Sequence, residues 1–134
     1  PRFFRQALQS ALDQVYDNLE IIVCDDCRTD EIKAIFDELA SAPDSRARYV
    51  RNDQRLGFQR NILRCLEEAS GEYIKFLCDD DRLYVYCVLN QARVLEANAD
   101  VKLVVGRRHL VDADNYVLPA RLENVGLVPY DAFY

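Results

Sequence analysis

Residues 19–31, LEIIVCDDCRTDE, decide the fold. Leu19 to Cys24 is a short run rich in β-branched residues that stops on two carboxylates, Asp25 and Asp26. A run without polar alternation predicts a parallel strand covered on both faces. Thr29 is placed to cap the next segment, Asp30 and Glu31 suit the positive end of a helix dipole, and Ile32, Ile35, Phe36 and Leu39 form an apolar stripe. The strand is therefore succeeded by a helix that stops near Pro43. Upstream, Phe4, Ala7, Leu8, Ala11 and Leu12 recur at helical spacing between polar residues and predict an amphipathic helix leading into the strand.

Downstream the rhythm repeats. Ala47 to Arg51 (ARYVR) alternates and is short, which predicts an edge strand with little burial. From Phe58, the positions Ile62, Cys65, Leu66 and Ala69 predict a third helix, with Gly71 where a C-cap belongs. Tyr73 to Leu77 (YIKFL) predicts a strand running into Asp79, Asp80 and Asp81, and a helical stripe comes next at Val85, Val88, Leu89, Ala92 and Leu95. Lys102 to Gly106 reads as a further strand, and Leu110, Val111, Val117 and Leu118 flank the turn-rich DADN at 112–115 as a hairpin. Alternating strands and helices with short connections predict an α/β domain around a mostly parallel sheet.

At 134 residues the chain is one domain at most, spanning 1–134, and its 50% hydrophobic and 30% charged composition is that of a folded globular protein. Seventeen Lys and Arg against 23 Asp and Glu give a net charge of −6, the wrong sign for a nucleic-acid backbone binder. No apolar run approaches the roughly 18 residues that span a bilayer. Five cysteines, Cys24, Cys27, Cys65, Cys78 and Cys87, are an odd count in a chain large enough to fold without staples, so they read as reduced thiols of a cytoplasmic protein. The sequence contains no Met and opens on an already amphipathic segment, as part of a longer polypeptide would.

Both acidic clusters, Asp25-Asp26 and Asp79-Asp80-Asp81, stand directly after a predicted strand. In a parallel sheet the strand C-termini share one rim, where α/β proteins bind ligands, so the clusters can converge there. Hard carboxylate oxygens suit Mg²⁺ or Mn²⁺ bridging phosphates. Either cluster alone reads equally well as solvated loop residues or helix caps.

Three stretches resemble the family 2 glycosyltransferases of the GT-A fold. ALQSALDQVYDNLEIIVCDDCRTDE (7–31) is similar to the family's helix, strand and Asp-Asp-Gly-Ser-x-Asp loop. NDQRLGFQRNILRCLEEASGEYIKFLCDDD (52–81) is similar to its Asn-x-x-x-x-Gly loop, Arg-Asn helix, Gly-Glu-Tyr-Ile turn and acidic metal motif, and LEANADVKLVVG matches the helix end and strand beyond. The resemblance spans about residues 3–118. It implies a Rossmann-like nucleotide-sugar-binding fold, with Asp25 and Asp26 at the donor's base and ribose, Arg60 on the Arg-Asn pair near the donor, Asp79 beside the ribose, Asp80 as metal ligand and Asp81 near the metal. It also implies a divalent cation cofactor, Mg²⁺ or Mn²⁺, a UDP-linked or other nucleotide-sugar donor, a saccharide or lipid-linked acceptor, and inverting transfer in the cytoplasm, at a membrane face in the full-length protein.

The departures carry expectations too. Cys78 stands where many members have the first acidic residue of the metal motif, and Cys27 and Arg28 replace a Gly and a Ser, so Arg28 can contact phosphate instead. Nothing before Phe3 supplies the family's opening strand, which is normally central. The expectation is a partial GT-A domain with its first strand missing, its open sheet edge left bare or paired with a second copy as a homodimer. No residue is assigned as catalytic base. Two rivals remain: a Mg²⁺-binding phospho-receiver module, disfavoured because VVGRRH lacks the required hydroxyl and Lys, and a non-catalytic nucleotide-binding fragment. Cys24-Asp25-Asp26-Cys27 as a redox pair or half zinc site lacks a second pair, and His109, the only histidine, excludes histidine-based triads.

Overall fold

A computed structural model describes residues 2–40 and 46–118. Its elements in chain order are α1 (Phe4–Leu12), β1 (Ile21–Asp25), α2 (Glu31–Ala40), β2 (Ala47–Arg51), α3 (Phe58–Glu68) and α4 (Cys87–Ala97). The chain divides into two compact units between Val104 and Val105. In the first, β1 and β2 pair in parallel, with Ile21 opposite Ala47 and Asp25 opposite Arg51. The architecture is α/β, a small parallel sheet flanked by helices.

Side-chain alternation along β1 explains the layering. Ile21 and Val23 face a core of Phe4, Leu8, Ile32, Phe36 and Ala40 from α1 and α2, which Ala47 and Tyr49 of β2 join. The Phe36 and Tyr49 rings meet with centroids 5.5 Å apart, tilted by 46°. On the other face, the Asn61 amide of α3 donates to the Cys24 carbonyl at 3.0 Å. Helix α3 lies against β1, but Ile21 to Cys24 stay only partly buried, so the expected two-sided cover is incomplete among the described residues. Polar residues fix the ends: Arg46 donates to the carbonyls of Leu12, Gln14 and Tyr16 at 2.6–2.7 Å, satisfying backbone acceptors left where α1 ends. Buried Gln14 donates to the Tyr84 carbonyl at 2.9 Å and accepts from the Val88 amide at 3.0 Å, pinning the exit of α1 to the start of α4.

Several expectations need correction. Strand β2 is an edge of the sheet among the described residues, as expected, but it is better covered than its alternation predicts, because Ala47 and Tyr49 pack partly buried against the core. Residues 73–77 and 102–106 form no strand: a strand exists only with a hydrogen-bonded neighbour, and none lies beside either run among the described residues. Ile74 and Phe76 are about half exposed, and Leu103 and Val105 more so. Gly71 is not a left-handed helix cap. Helix α3 ends at Glu68 with Ala69 extended, and the Ser70 and Gly71 amides donate instead to Glu20 Oε1 at 2.6 and 3.0 Å. The predicted second-helix stop at Pro43 lies outside the described residues, as does the tail after Leu118.

The second unit carries the expected hairpin. Val111 and Val117 form an antiparallel bridge, the Leu118 amide donates to the Leu110 carbonyl at 2.8 Å, and Asp112 Oδ1 accepts from the Asp114 and Tyr116 amides at 2.9 Å. Asn115 takes the left-handed conformation, φ 68°, which asparagine tolerates well.

Candidate functional site

The two carboxylates after β1 play different parts. Asp25 is buried, at 3% exposure, and both of its oxygens are engaged: Oδ1 accepts from the Cys27 amide at 2.8 Å and Oδ2 from the Tyr49 hydroxyl. Burial, with the bond to Asp25, pushes the Tyr49 phenol up, so it stays protonated and donates. Asp26 reaches across to the loop after β2. Its Oδ1 accepts from the Leu56 amide at 2.6 Å and the Asn52 side chain at 3.0 Å, and Oδ2 accepts from the Gly57 amide at 2.8 Å. Burial raises the Asp26 carboxyl, but these three donors and the nearby Arg55 charge outweigh it and hold the group below the usual carboxylate range.

The clasp continues into α3. Asn52 also donates to Asn61 Oδ1 at 2.8 Å, and Asn61 returns to the Cys24 carbonyl. Gly57, at φ 79° and ψ 166°, turns the chain into α3 in a conformation that only glycine adopts readily. An open groove results, bordered by Asp26, Arg28, Arg51, Asp53 and Arg55. Arg51 is tied to Asp30. A second, shallower depression runs along Leu56 to Arg60.

The second acidic segment lies beyond α3. The Asp81 amide donates to the Cys78 carbonyl at 3.2 Å, closing a turn. Ligand atoms of Cys78, Asp80 and Asp81 all lie within 4.8 Å of one another, and all three residues are exposed. Two carboxylates with room for a cation fit a divalent metal; Asp79 stands outside this group. Crowding raises the exposed Cys27 thiol first, and the negative charges of Asp25 and then of Asp79 add to it, so Asp79 lies within electrostatic reach of the β1 loop. Crowding and the charges of Asp81, Asp80 and Asp79 likewise raise Cys78.

Asp25 and Asp26 stand at the C-terminal end of β1, and Asp79, Asp80 and Asp81 stand on or beside the 78–81 turn. Arg60 is exposed on the first turn of α3 and forms no ion pair with either acidic segment among the described residues. The three donors on Asp26 are Asn52, Leu56 and Gly57. Tyr49, Asn52 and Asn61 carry no individual signal in the sequence; Asn52 and Asn61 lie inside the Asn-x-x-x-x-Gly and Arg-Asn stretches, which are the signal available. All five cysteines are free thiols.

Comparison with known proteins bears directly on this arrangement. The sequence profile described as glycosyl transferase family 2 matches residues 1–126, and the chain belongs to that family. It is 36% identical over 89 residues to the UDP-Glc:alpha-D-GlcNAc-diphosphoundecaprenol beta-1,3-glucosyltransferase WfaP of Escherichia coli, covering 66% of this chain and 34% of that protein. It is 35% identical over 88 residues to the GalNAc(5)-diNAcBac-PP-undecaprenol beta-1,3-glucosyltransferase of Campylobacter jejuni, covering 62% of this chain and 28% of that protein. An uncharacterized Mycobacterium tuberculosis protein, MT1568, is 41% identical over 78 residues, covering 58% of this chain and 24% of its own length. The chain spans less than half the length of each of these relatives. No helix among the described residues is long and apolar enough to cross a membrane.

Proposed function

We propose that this chain is a partial GT-A domain forming the donor-binding part of an enzyme that moves a sugar from a nucleoside-diphosphate sugar to an acceptor hydroxyl, with inversion at the anomeric carbon. The observation that carries the reading is the clasp of Asp26 on Asn52, Leu56 and Gly57 at the end of β1, beside an open groove that Arg28 and Arg55 border. Membership of a transferase family supports it, and sets aside the phospho-receiver alternative.

In this reading Asp25 and Asp26 shape the donor loop as well as border it, since their oxygens already hold Tyr49, Cys27, Asn52, Leu56 and Gly57. Arg28 and Arg55 offer guanidinium forks to the diphosphate or base, and Arg60 supplies a further cation one turn into α3. Asp79 faces the ribose. Asp80 and Asp81 hold a divalent cation, Mg²⁺ or Mn²⁺, which when bound offsets charge growing on the departing diphosphate. The acceptor oxygen forms the new bond to the anomeric carbon as the bond to the diphosphate oxygen breaks, the nucleoside diphosphate leaves with the electron pair, and the hydroxyl proton passes to a base or to water.

The relatives named for diphosphoundecaprenol acceptors and, in one case, for a UDP-glucose donor support a UDP-linked donor and a lipid-linked acceptor, and this reading places the transfer at the cytoplasmic face of a membrane. Among the described residues no strand lies beside the edge of β1 opposite β2, and pairing of a second copy there is the oligomer this reading predicts. Calorimetric titration with UDP, then other nucleoside diphosphates, with and without Mn²⁺, tests the site. Metal-dependent binding that Asp80→Ala abolishes supports the reading; absence of binding for every nucleoside diphosphate contradicts it.

A further inference from the structure

Two of the free thiols meet across the packing of α3 on β1. Side chains alternate along a strand, and Ile21 and Val23 face the core built from α1 and α2, so Cys24 projects from the face against which α3 lies. The Asn61 amide registers α3 on that face by donating to the Cys24 carbonyl at 3.0 Å. Cys65 stands one helical turn beyond Asn61, on the same side of α3. Its thiol and that of Cys24 are hydrogen-bond partners, and both residues are partly buried. Cys27 lies nearer to Cys24 in sequence but is engaged elsewhere, its exposed thiol bound to the Asp25 carboxylate.

We propose that Cys24 and Cys65 form a reversible dithiol–disulfide switch that, when oxidised, locks the end of β1 to α3 beside the Asp26 clasp. The oxidant is a small-molecule disulfide. One protein thiolate attacks it, a mixed disulfide forms and one small thiol leaves; the second protein thiolate then displaces the other small thiol as the Cys24–Cys65 bond closes. Two protein thiols are oxidised, the small disulfide is reduced to two thiols, and the two protons released by the protein pass to them. Burial and the bond to Cys65 push the Cys24 thiol up to about 12, so little of it is thiolate near neutral pH and the exchange is slow, quickening as pH rises. Strand β1 ends on Asp25, and Asn61 of α3 is bonded to Asn52 of the clasp, so the crosslink stiffens the loop that Asp26 holds. The proposal stands apart from the donor reading, since it needs only the packing of α3 on β1.

Disulfide mapping tests this without any activity assay. The 134-residue chain is equilibrated with mixtures of reduced and oxidised glutathione at mildly alkaline pH, quenched with acid, alkylated, digested without reduction and mapped by mass spectrometry. The expected main crosslink joins the Cys24 and Cys65 peptides and is reversed by dithiothreitol, while Cys27 and Cys78 are alkylated or carry glutathione. Oxidation raises the melting temperature by roughly 10 °C, because the bond closes the long loop from residue 24 to residue 65, and slows hydrogen exchange at 24–26 and 61–65. Cys65→Ala loses both the crosslink and the rise in melting temperature, whereas Cys27→Ser keeps both. Cys24 and Cys65 both alkylated in the most oxidising mixture, or Cys24 joined mainly to Cys27, would overturn the proposal. So would a Cys24–Cys65 crosslink that leaves melting and exchange unchanged or lowers the melting temperature, since it would then form only in a partly unfolded chain.

Discussion

Replacing Asp26 with alanine removes the acceptor for three donors at once: the Leu56 amide at 2.6 Å, the Gly57 amide at 2.8 Å and the Asn52 side chain at 3.0 Å. A hydrogen bond to a charged acceptor contributes about 1.5–3 kcal/mol when buried. Asp26 is only partly buried, so water replaces much of each bond, and a discounted value of about 1 kcal/mol apiece gives a loss of about 2–3 kcal/mol. At this chain length 1 kcal/mol moves the midpoint by roughly 4 °C, so Asp26→Ala should melt roughly 8–12 °C below the parent by circular dichroism. Hydrogen exchange should quicken at Leu56 and Gly57. The carboxyl is held below its ordinary range when folded, so its contribution is complete above the unfolded carboxylate pKa of about 4 and is lost as pH falls through the depressed folded value. The gap between parent and variant should therefore narrow at acid pH. A variant melting within about 2 °C of the parent at neutral pH, with unchanged exchange at Leu56 and Gly57, would refute the clasp.

Other substitutions probe neighbouring parts. Gly57→Ala should cost about 1–3 kcal/mol in urea unfolding, all from backbone strain, since its φ is 79° and nothing lies within 4 Å of the added carbon; a neutral substitution would contradict that conformation. Phe36→Ala should cost about 3–5 kcal/mol by the same assay, because the ring fills the α1–α2 core and packs on Tyr49; a loss under about 1 kcal/mol would show that the core is loose. Arg60→Ala should leave stability within about 0.5 kcal/mol yet weaken nucleoside diphosphate binding severalfold by calorimetry, as expected of an exposed cation at the groove; unchanged affinity would remove Arg60 from the donor site.

Local signals carry far in this chain, and the exceptions share a cause. The LEIIVC run, the stripes of α1 to α4 and the DADN hairpin each declare themselves within a dozen residues, and each forms close to its expected position. YIKFL and the 102–106 run have strand-like side chains, but pairing depends on a neighbour that no local pattern specifies. Gly71 has the composition of a helix cap, yet Glu20, fifty-one residues earlier, captures its amide. Asp25 and Asp26 are legible because they stand at the end of β1. The clasp is not, because Asn52, Asn61 and Tyr49 meet Asp26, Cys24 and Asp25 across 24 to 37 residues, and a lone polar residue carries no periodicity.

Whether the β1 loop and the 78–81 turn form one donor site is the central question for this protein. Backbone nuclear magnetic resonance with UDP and substoichiometric Mn²⁺ tests it most directly, since the paramagnetic ion broadens amides near it. For a single site, broadening appears together at residues 26–28 and 78–81 and depends on UDP for the first group. Broadening confined to 78–81 with UDP present, or spread evenly over the acidic surface, would contradict it.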